Sequence, residues 1–449
     1  MVDMSDVLIC DANHGGLVLL DEYYKHTSNN LFFYDTYNKL SEDERKVIEY
    51  KYGVEFLDES DIDEHFVVIA PVHMPCDFKC DYTHHEFTKY LLDKIRVEFD
   101  LDFKIIQVSG VKGKTTTTHM ISEVLRNSNV LLLNSNHLSY NTPHGRRVLV
   151  DNLSITPSSI ITAINMAINE GIIGDVDYCV FEVSLGVIPD EFCGVLTNVV
   201  EDYPIAGGTS SASRAKSNVF KSINVVCDYE TRQEYYEEFD CVCVSVDNPC
   251  SDVYATRIDY GLRSTLVEFN YMGENCELSA FCLSDFDVEN LLLAVCVGRI
   301  CGLGMDDILS NLEDMKTLSG RNSCRSVCGK LLVEDINPGH NTTSIRKSVE
   351  NIGRYNLGVV CIIGGDYGIT CEEIDEDRLE AYLETLDYNL ILTGALGLNL
   401  KNRLAGRDVL YFEDLVCAVK YAVNNYDAGI IHVIYRSEYH RNIKLDELL

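Results

Sequence analysis

The stretch Ile105–Thr116, which reads IIQVSGVKGKTT, decides the fold of this chain. An apolar strand leads into a loop with two glycines. The helix that follows carries apolar residues on one face, at Met120, Ile121, Val124 and Leu125. A strand, a glycine loop and a helix in this order are typical of a phosphate-binding loop, because loop N–H groups and the positive end of the helix dipole surround the phosphates.

The loop also supplies reactive side chains. Lys114 can reach the β- and γ-phosphates of a nucleoside triphosphate, and the Thr115 hydroxyl can ligate Mg²⁺. The strict Walker A pattern places a glycine where this chain has Val108, so only the shorter form Gly-x-x-Gly-Lys-Thr is present. We predict that ATP phosphates contact Gly110, Lys112, Gly113, Lys114, Thr115 and Thr116.

Composition limits the class of protein. The chain has 449 residues, of which 46% are hydrophobic and 24% charged, and this predicts a globular protein with several domains. Lys and Arg number 37 against 71 Asp and Glu, so the formal charge is -34. Such a charge repels nucleic acid and anionic membrane, and neither is an expected partner. No long apolar run or signal pattern is present, so we expect a cytoplasmic protein.

The eighteen cysteines are spread along the chain instead of being concentrated in a small domain. Several stand in apolar runs, where a reduced thiol behaves as a small apolar side chain. We therefore expect buried free thiols, with examples at Cys179, Cys282, Cys296 and Cys361.

Three successive segments alternate strands with helices, which predicts an α/β protein. A Rossmann-like layout is expected at both ends, around a central P-loop ATPase domain. The predicted domains are an N-terminal substrate-binding domain at 1–100, the central domain at 101–317 and a C-terminal Rossmann-like domain at 318–449.

In the first segment, predicted strands end in polar or glycine-containing loops at 11–16, 35–37 and 71–75. Ligands of parallel α/β sheets bind at such strand ends, so these loops are expected to contact the substrate. A nearby group with metal-binding side chains matches no standard zinc spacing, so ordinary loop residues are favoured over a metal site there. Its members are Cys76, Cys80, His84 and His85.

The central segment places acids at predicted strand ends. The strand at 178–183 carries Glu182, which we expect to hold the same Mg²⁺ as Thr115. A further strand is predicted at 195–199, followed by an acidic turn at 201–203.

Seven segments in a fixed order resemble the Mur ligase family. This family of ATP-dependent ligases includes the peptidoglycan amino-acid-adding enzymes and folylpolyglutamate synthase. The resemblance implies three domains and a reaction in which ATP converts a carboxylate to an acyl phosphate that a nucleophile then attacks. The segments are 152–158, 178–184, 196–203, 215–220, 287–294, 319–321 and 334–341.

The resemblance also implies roles for individual residues. Asn290 corresponds to the asparagine near the adenine, Arg321 to the arginine at the start of the third domain, and Asp335 to the acid that meets the ribose. Lys216 stands where many members carry a carbamylated lysine on a second Mg²⁺; an ordinary solvated lysine is the alternative.

One metal position departs from the family pattern. The usual Asp-His pair after the second acidic strand is Asp202-Tyr203 here. Tyrosine is a poor Mg²⁺ ligand, so the second metal site is altered, with Glu201 or Asp202 as the substitute.

The first-domain loops resemble a branch of the family whose substrate is a nickel-containing tetrapyrrole. The resemblance implies that ATP activates a propionate side chain, which a ring carbon of the same molecule attacks. Carbon must lose a proton in this step, so a base or carboxylate partner is expected among His14, His73, His84 and His85. The alternatives are an amide-forming ligase of cell-wall (pseudomurein) peptide precursors, a regulatory P-loop switch, and a metal-binding or thiol-storage protein.

Overall fold

The computed structural model describes residues 6–75, 78–200, 202–315, 323–355, 357–368, 374–404 and 406–437. The chain forms two compact units. The first comprises residues 1–254 and 289–311, and the second comprises residues 255–288 and 312–449. Both are α/β, as predicted. The three domain boundaries stay a prediction.

The N-terminal sheet belongs to the first unit and has the order β3-β2-β1-β4-β5, with parallel pairing throughout. Strands β1 and β4 are neighbours, so the loops that follow them lie side by side at one sheet edge. The strands are β1 (Asp6–Cys10), β2 (Asn30–Tyr34), β3 (Glu55–Phe56), β4 (Val67–Ala70) and β5 (Tyr82–Thr83). The helices are α1 (Gly16–His26), α2 (Glu42–Tyr52) and α3 (His84–Phe99).

A second sheet, which lies mostly in the first unit, holds the P-loop strand at its centre, between β11 and β10. Its residues Ile105, Ile106 and Val108 are fully buried because sheet neighbours flank it and helices cover it. The strands are β6 (Lys104–Ser109), β7 (Val130–Leu133), β8 (His137–Thr142), β9 (Gly145–Asp151), β10 (Tyr178–Glu182), β11 (Cys193–Leu196), β12 (Pro204–Ile205), β13 (Ser210–Ser211), β14 (Asn224–Asp228), β15 (Val242–Ser245) and β16 (Val253–Asp259).

Strands β12 and β13 form a separate short hairpin. The others are ordered β16-β15-β14-β11-β6-β10-β7-β8-β9. The antiparallel pair β8 and β9 at the edge is not among the predicted strands. The helices are α4 (Lys114–Val124), α5 (Ser159–Asn169), α6 (Ala212–Lys216), α7 (Tyr229–Tyr235), α8 (Asp285–Ile300) and α9 (Met305–Glu313).

The second unit contains the antiparallel hairpin β17 (Thr265–Tyr271) and β18 (Glu274–Ala280) and a six-stranded sheet. The sheet order is β19-β20-β24-β21-β22-β23, and all its pairs except β19 with β20 are parallel, as a Rossmann-like domain requires. Its strands are β19 (Ser323–Val327), β20 (Lys330–Ile336), β21 (Val359–Gly365), β22 (Asn389–Thr393), β23 (Leu410–Phe412) and β24 (Ile430–Arg436). Its helices are α10 (Thr342–Gly353), α11 (Glu376–Glu384), α12 (Gly394–Arg403) and α13 (Leu415–Asn425).

Two expectations from composition can be compared with the structure. Cys179, Cys282, Cys296 and Cys361 are free and buried, which confirms them as apolar packing residues. Within the described ranges, every helix is too short or too polar to cross a bilayer.

Candidate active site

The phosphate-binding loop runs from the end of β6 at Ser109 to the start of α4 at Lys114. Gly110 has a φ of 143° and Gly113 a φ of 87°. A Cβ atom would lie 2.0 Å from Thr197 Oγ1 at Gly110 and 2.4 Å from Asn290 Oδ1 at Gly113. Glycine is therefore required at both positions by conformation and by space.

The turn after β11 holds this loop in place. Thr197 Oγ1 donates to the Lys112 carbonyl at 2.5 Å, and the Lys112 N–H donates to Asn198 Oδ1 at 3.0 Å. The Val111 N–H donates to the Asn198 carbonyl at 2.9 Å. Because Thr197 and Asn198 brace the loop, β11 ends at Leu196 and not at Val199 as predicted.

Side chains of α4 surround the loop. Lys114 Nζ donates to the Gly110 and Val111 carbonyls at 3.1 and 3.3 Å, so the ammonium group lies over the loop where phosphate charge is expected. Thr117 Oγ1 donates to Asn290 Oδ1 at 3.0 Å and draws α8 against the loop. The predicted contact residue Asn290 therefore lies at the loop itself. Thr116 is half-buried in the first turn of α4.

Thr115 and Glu182 are connected through one residue that the sequence did not reveal. Thr115 Oγ1 lies 3.0 Å from Ser135 Oγ, and the Ser135 N–H donates to Glu182 Oε2 at 2.9 Å. Glu182 is buried at the end of β10. Hydroxyl and carboxylate oxygens are the ligand class that Mg²⁺ prefers, so these residues fit the predicted ion.

Asp202 and Lys216 lie in the same unit but are engaged locally. Both carboxylate oxygens of Asp202 accept from Ser213, Oδ1 from its N–H at 2.8 Å and Oδ2 from its hydroxyl at 2.6 Å. Burial raises the pKa of Asp202, but these hydrogen bonds outweigh it and the net shift is downward. Lys216 is 1% exposed, with Nζ 5.6 Å from the ring centre of Tyr203. An ordinary solvated lysine is excluded by that burial. Glu201 lies outside the described residues.

The loops after β1 and β4 bring three metal-ligating side chains together. His14 Nδ1 lies 2.5 Å from Asp11 Oδ2, and His73 Nε2 lies 3.7 Å from the same oxygen. The two imidazole rings are 4.1 Å apart at 76°. The predicted residues His14 and His73 therefore meet, and Asp11, which sequence reasoning missed, lies between them with 1% exposure.

Asp11 is oriented by its backbone. Its φ of 73° turns the chain sharply, and Oδ1 accepts the Asn13 N–H at 2.8 Å. Oδ2 is thereby directed toward the two histidines. Burial raises the pKa of Asp11, but the hydrogen bonds from His14 and Asn13 and the nearby histidines give a net lowering.

A cavity of about 40 Å³ adjoins these histidines. Its walls come from loops next to the N-terminal sheet, from the start of α3 and from loops next to the P-loop sheet. The lining residues are His14, Pro71, Val72, His73, His84, His85, Thr156, Pro157, Ser184 and Leu185.

Burial keeps the inner imidazoles neutral at neutral pH. Desolvation lowers the pKa of His73 to about 4, of His84 to about 3 and of His85 to about 4. His84 Nε2 lies 3.1 Å from the Cys10 carbonyl. Cys80, His84 and His85 do not gather around a point that could hold an ion, and Cys76 lies outside the described residues. The only such group among the described residues is Asp11, His14 and His73.

In the second unit, Asp335 is held by its own neighbours. Oδ2 accepts from Ser348 Oγ at 2.7 Å, and Oδ1 lies 3.3 Å from His340 Nε2. Burial raises the pKa of Asp335, but His340 and Ser348 outweigh this and hold it well below its usual range. The predicted ribose contact is therefore an ionised, oriented carboxylate. Arg321 lies outside the described residues.

Comparison with known proteins identifies relatives over most of the chain. The family model for "Coenzyme F430 synthetase CfbE, C-terminal domain" matches residues 324–438. A coenzyme F(430) synthetase of Methanocaldococcus jannaschii is 29% identical over 418 residues, covering 91% of this chain and 95% of the relative. One of Methanosarcina acetivorans is 26% identical over 434 residues, covering 86% and 89%.

Solved structures agree on the fold. The MurF ligase of Thermotoga maritima in complex with ADP superposes with a TM-score of 0.59 at 15% identity, over 99% of this chain and 93% of that one. The family-model match and the two relatives agree with the nucleotide loop and the sheet order in indicating a Mur-ligase-like protein. The chain therefore has the fold of the Mur ligases, and in sequence it is similar to the coenzyme F430 synthetases.

Proposed function

We propose that this chain is an ATP- and Mg²⁺-dependent ligase that makes coenzyme F430 from a nickel-containing tetrapyrrole by closing its last carbocycle. ATP converts a propionate carboxylate to an acyl phosphate with release of ADP. A ring carbon of the same molecule loses a proton and attacks the acyl carbon, so that a C–C bond forms and phosphate leaves. No amino acid takes part. The two coenzyme F(430) synthetases that match over most of the chain support this proposal.

The P-loop fits the first half-reaction. A carboxylate is a poor electrophile, and phosphorylation gives it a leaving group. Lys114 and the N–H groups at the start of α4 stabilise charge on the transferring phosphoryl group. Mg²⁺ would bind Thr115 and Glu182 and neutralise phosphate charge. We further propose that Asp202 and a carbamylated Lys216 contribute to a second ion position, with Asn290, Arg321 and Asp335 contacting the nucleoside.

Strand β10 and the residues that follow it connect the nucleotide site with the histidine cavity, and this supports coupling of the two half-reactions. The strand delivers Glu182 to the P-loop side, and Ser184 and Leu185 line the histidine cavity. Two residues of extended chain span about 7 Å at most. The Cα atoms of Glu182 and Ser184 are thus no more than about 7 Å apart, which supports coupling of the two half-reactions. Leu185 has a φ of 54°, a strained conformation for leucine of the sort that collects at functional sites.

The histidines would act in the second half-reaction. A cavity of about 40 Å³ is far too small for a whole macrocycle, so only a substituent of the macrocycle could enter it. We propose that His14 and His73 handle that substituent, either by accepting a proton or by holding a carboxylate.

The test is an assay of product mass with the purified chain, ATP, Mg²⁺ and the nickel tetrapyrrole precursor acid, without an amino acid. Loss of one water from the tetrapyrrole, with ADP and phosphate formed, supports the proposal. No change, followed by ligation once an amino acid and a pseudomurein peptide precursor are added, would instead support the amide-forming alternative. Lys114→Ala is the control: it should abolish either reaction while the fold survives.

A further inference from the structure

We propose that Asp11, His14 and His73 form a binding site for one divalent first-row transition ion such as Zn²⁺ or Co²⁺. The donor atoms are Asp11 Oδ2, His14 Nδ1 and His73 Nε2, and all lie within 4.8 Å of one another. Two imidazoles and a carboxylate are a ligand set that such ions favour over Mg²⁺, which prefers oxygen. This site is separate from the Mg²⁺ position at Thr115 and Glu182.

The donor atoms lie near the spacing of ligands around an ion, although His14 and Asp11 form a direct hydrogen bond in its absence. Ligands bound at about 2.0–2.1 Å to a tetrahedral ion lie about 3.3 Å from one another. The two measured separations from Asp11 Oδ2 are 2.5 Å to His14 and 3.7 Å to His73, which bracket that value. Small side-chain rotations would equalise them. Binding of the ion would replace the hydrogen bond between His14 and Asp11.

His73 provides a second, independent observation. Its Nε2 atom is buried and has no hydrogen-bond partner among the described residues. At 3.7 Å, Asp11 Oδ2 is too distant to accept a hydrogen bond from it. A buried imidazole nitrogen without a partner carries a desolvation cost that a bound ion would remove.

The three ligands lie in short loops anchored by the sheet. Asp11 and His73 follow the neighbouring parallel strands β1 and β4, and His14 stands one residue before Gly15, which has a φ of 102°. The Asn13 N–H, which is not itself a ligand, donates to Asp11 Oδ1 and so orients the carboxylate. Three protein ligands leave a coordination position open toward the cavity, where an oxygen donor such as water or a carboxylate would complete the site. His14 and His73 would then contribute as ligands and not as bases.

The test measures metal binding alone, without ATP or tetrapyrrole, so its result is independent of the proposed function. Chain without an affinity tag is stripped with a chelator and titrated with Zn²⁺ by calorimetry and with Co²⁺ by visible absorption. We expect one ion per chain and ligand-field bands typical of Co²⁺ with nitrogen and oxygen ligands. His73→Gln should weaken binding by at least about 100-fold, since the loss of a group that only orients a ligand already costs about 10–100-fold.

Two further variants sharpen the test. Asp11→Asn keeps the shape and tolerates the left-handed backbone, and should weaken binding to a similar extent. His65→Gln is the matched control. His65 Nδ1 lies 3.1 Å from Asp63 Oδ1 in an exposed pair without a third ligand. The His65→Gln variant should bind the ion as tightly as the unmodified chain. The proposal is overturned if the stripped chain shows no saturable binding, or if His73→Gln binds as tightly as His65→Gln.

Discussion

Replacing Gly113 with alanine tests the phosphate-binding loop most sharply. The residue has a φ of 87°, which costs an L-residue about 1–2 kcal/mol. The new Cβ would lie 2.4 Å from Asn290 Oδ1 and push that side chain off Thr117. A hydrogen bond of this type contributes about 1 kcal/mol. Together these two costs destabilise the nucleotide-binding conformation of the loop by about 2–3 kcal/mol.

At 1.4 kcal/mol per tenfold, Gly113→Ala should weaken ATP binding by about 30- to 140-fold. Calorimetric titration of the protein with ATP in the presence of Mg²⁺ measures this affinity. Thermal unfolding of the variant checks that the fold survives. Asn290→Ala should remove the clash, so the double variant should be less impaired than the two single effects added, by about 1 kcal/mol.

Gly171→Ala is the control for backbone strain alone. Gly171 also has positive φ, 69°, but an added Cβ would meet nothing within 4 Å. It should lower stability and leave ATP affinity unchanged. If Gly113→Ala binds ATP as tightly as Gly171→Ala does, the loop does not hold the phosphates in the way described.

Three other changes have defined outcomes. Glu182→Gln should raise the Mg²⁺ concentration for half-maximal turnover at least tenfold, whereas Glu170→Gln, an exposed acid paired with a surface arginine, should not. His85, with a pKa lowered to about 4, stays neutral in the folded chain while the unfolded chain takes up a proton below about pH 6.5. Stability is therefore lost as pH falls, and His85→Asn should reduce the drop in unfolding free energy between pH 7.5 and 5.5 by about 1.4 kcal/mol in denaturant titrations; an unchanged drop would contradict the burial argument. Lys216→Ala should lose turnover and regain part of it with added acetate, and ¹³C-bicarbonate should give a carbamate NMR signal in the unmodified chain only.

Much of the fold follows from hydrophobic patterning. Strands β1, β6, β10 and β24 are buried, mostly apolar runs, and the strand predicted at 178–183 differs from β10 by one residue. The edge pair β8 and β9 was not predicted, because its second strand is mostly exposed and carries charged residues. Apolar periodicity is weak where a strand faces water.

The residues of the candidate site also fall into those that the sequence predicts and those that it does not. Lys114, Thr115 and Glu182 belong to motifs whose residue types and spacing are dictated by phosphate and Mg²⁺ chemistry. Ser135, Thr197 and Asp11 were not predicted, because their roles depend on pairing between strands far apart in the chain. Asp11 joins His73 only because β1 and β4 are neighbours in the sheet. An isolated Asp in a loop gives no local signal of that contact.

The most direct test of the central claim follows the oxygen of the substrate carboxylate. The tetrapyrrole precursor is labelled with ¹⁸O in both oxygens of the reacting propionate and turned over once with ATP and Mg²⁺. If the carboxylate attacks ATP and the acyl phosphate is then displaced by carbon, each phosphate released carries one ¹⁸O and the new ring ketone keeps the other. Phosphate without ¹⁸O, alongside closed ring, would show that no acyl phosphate forms and would contradict the account.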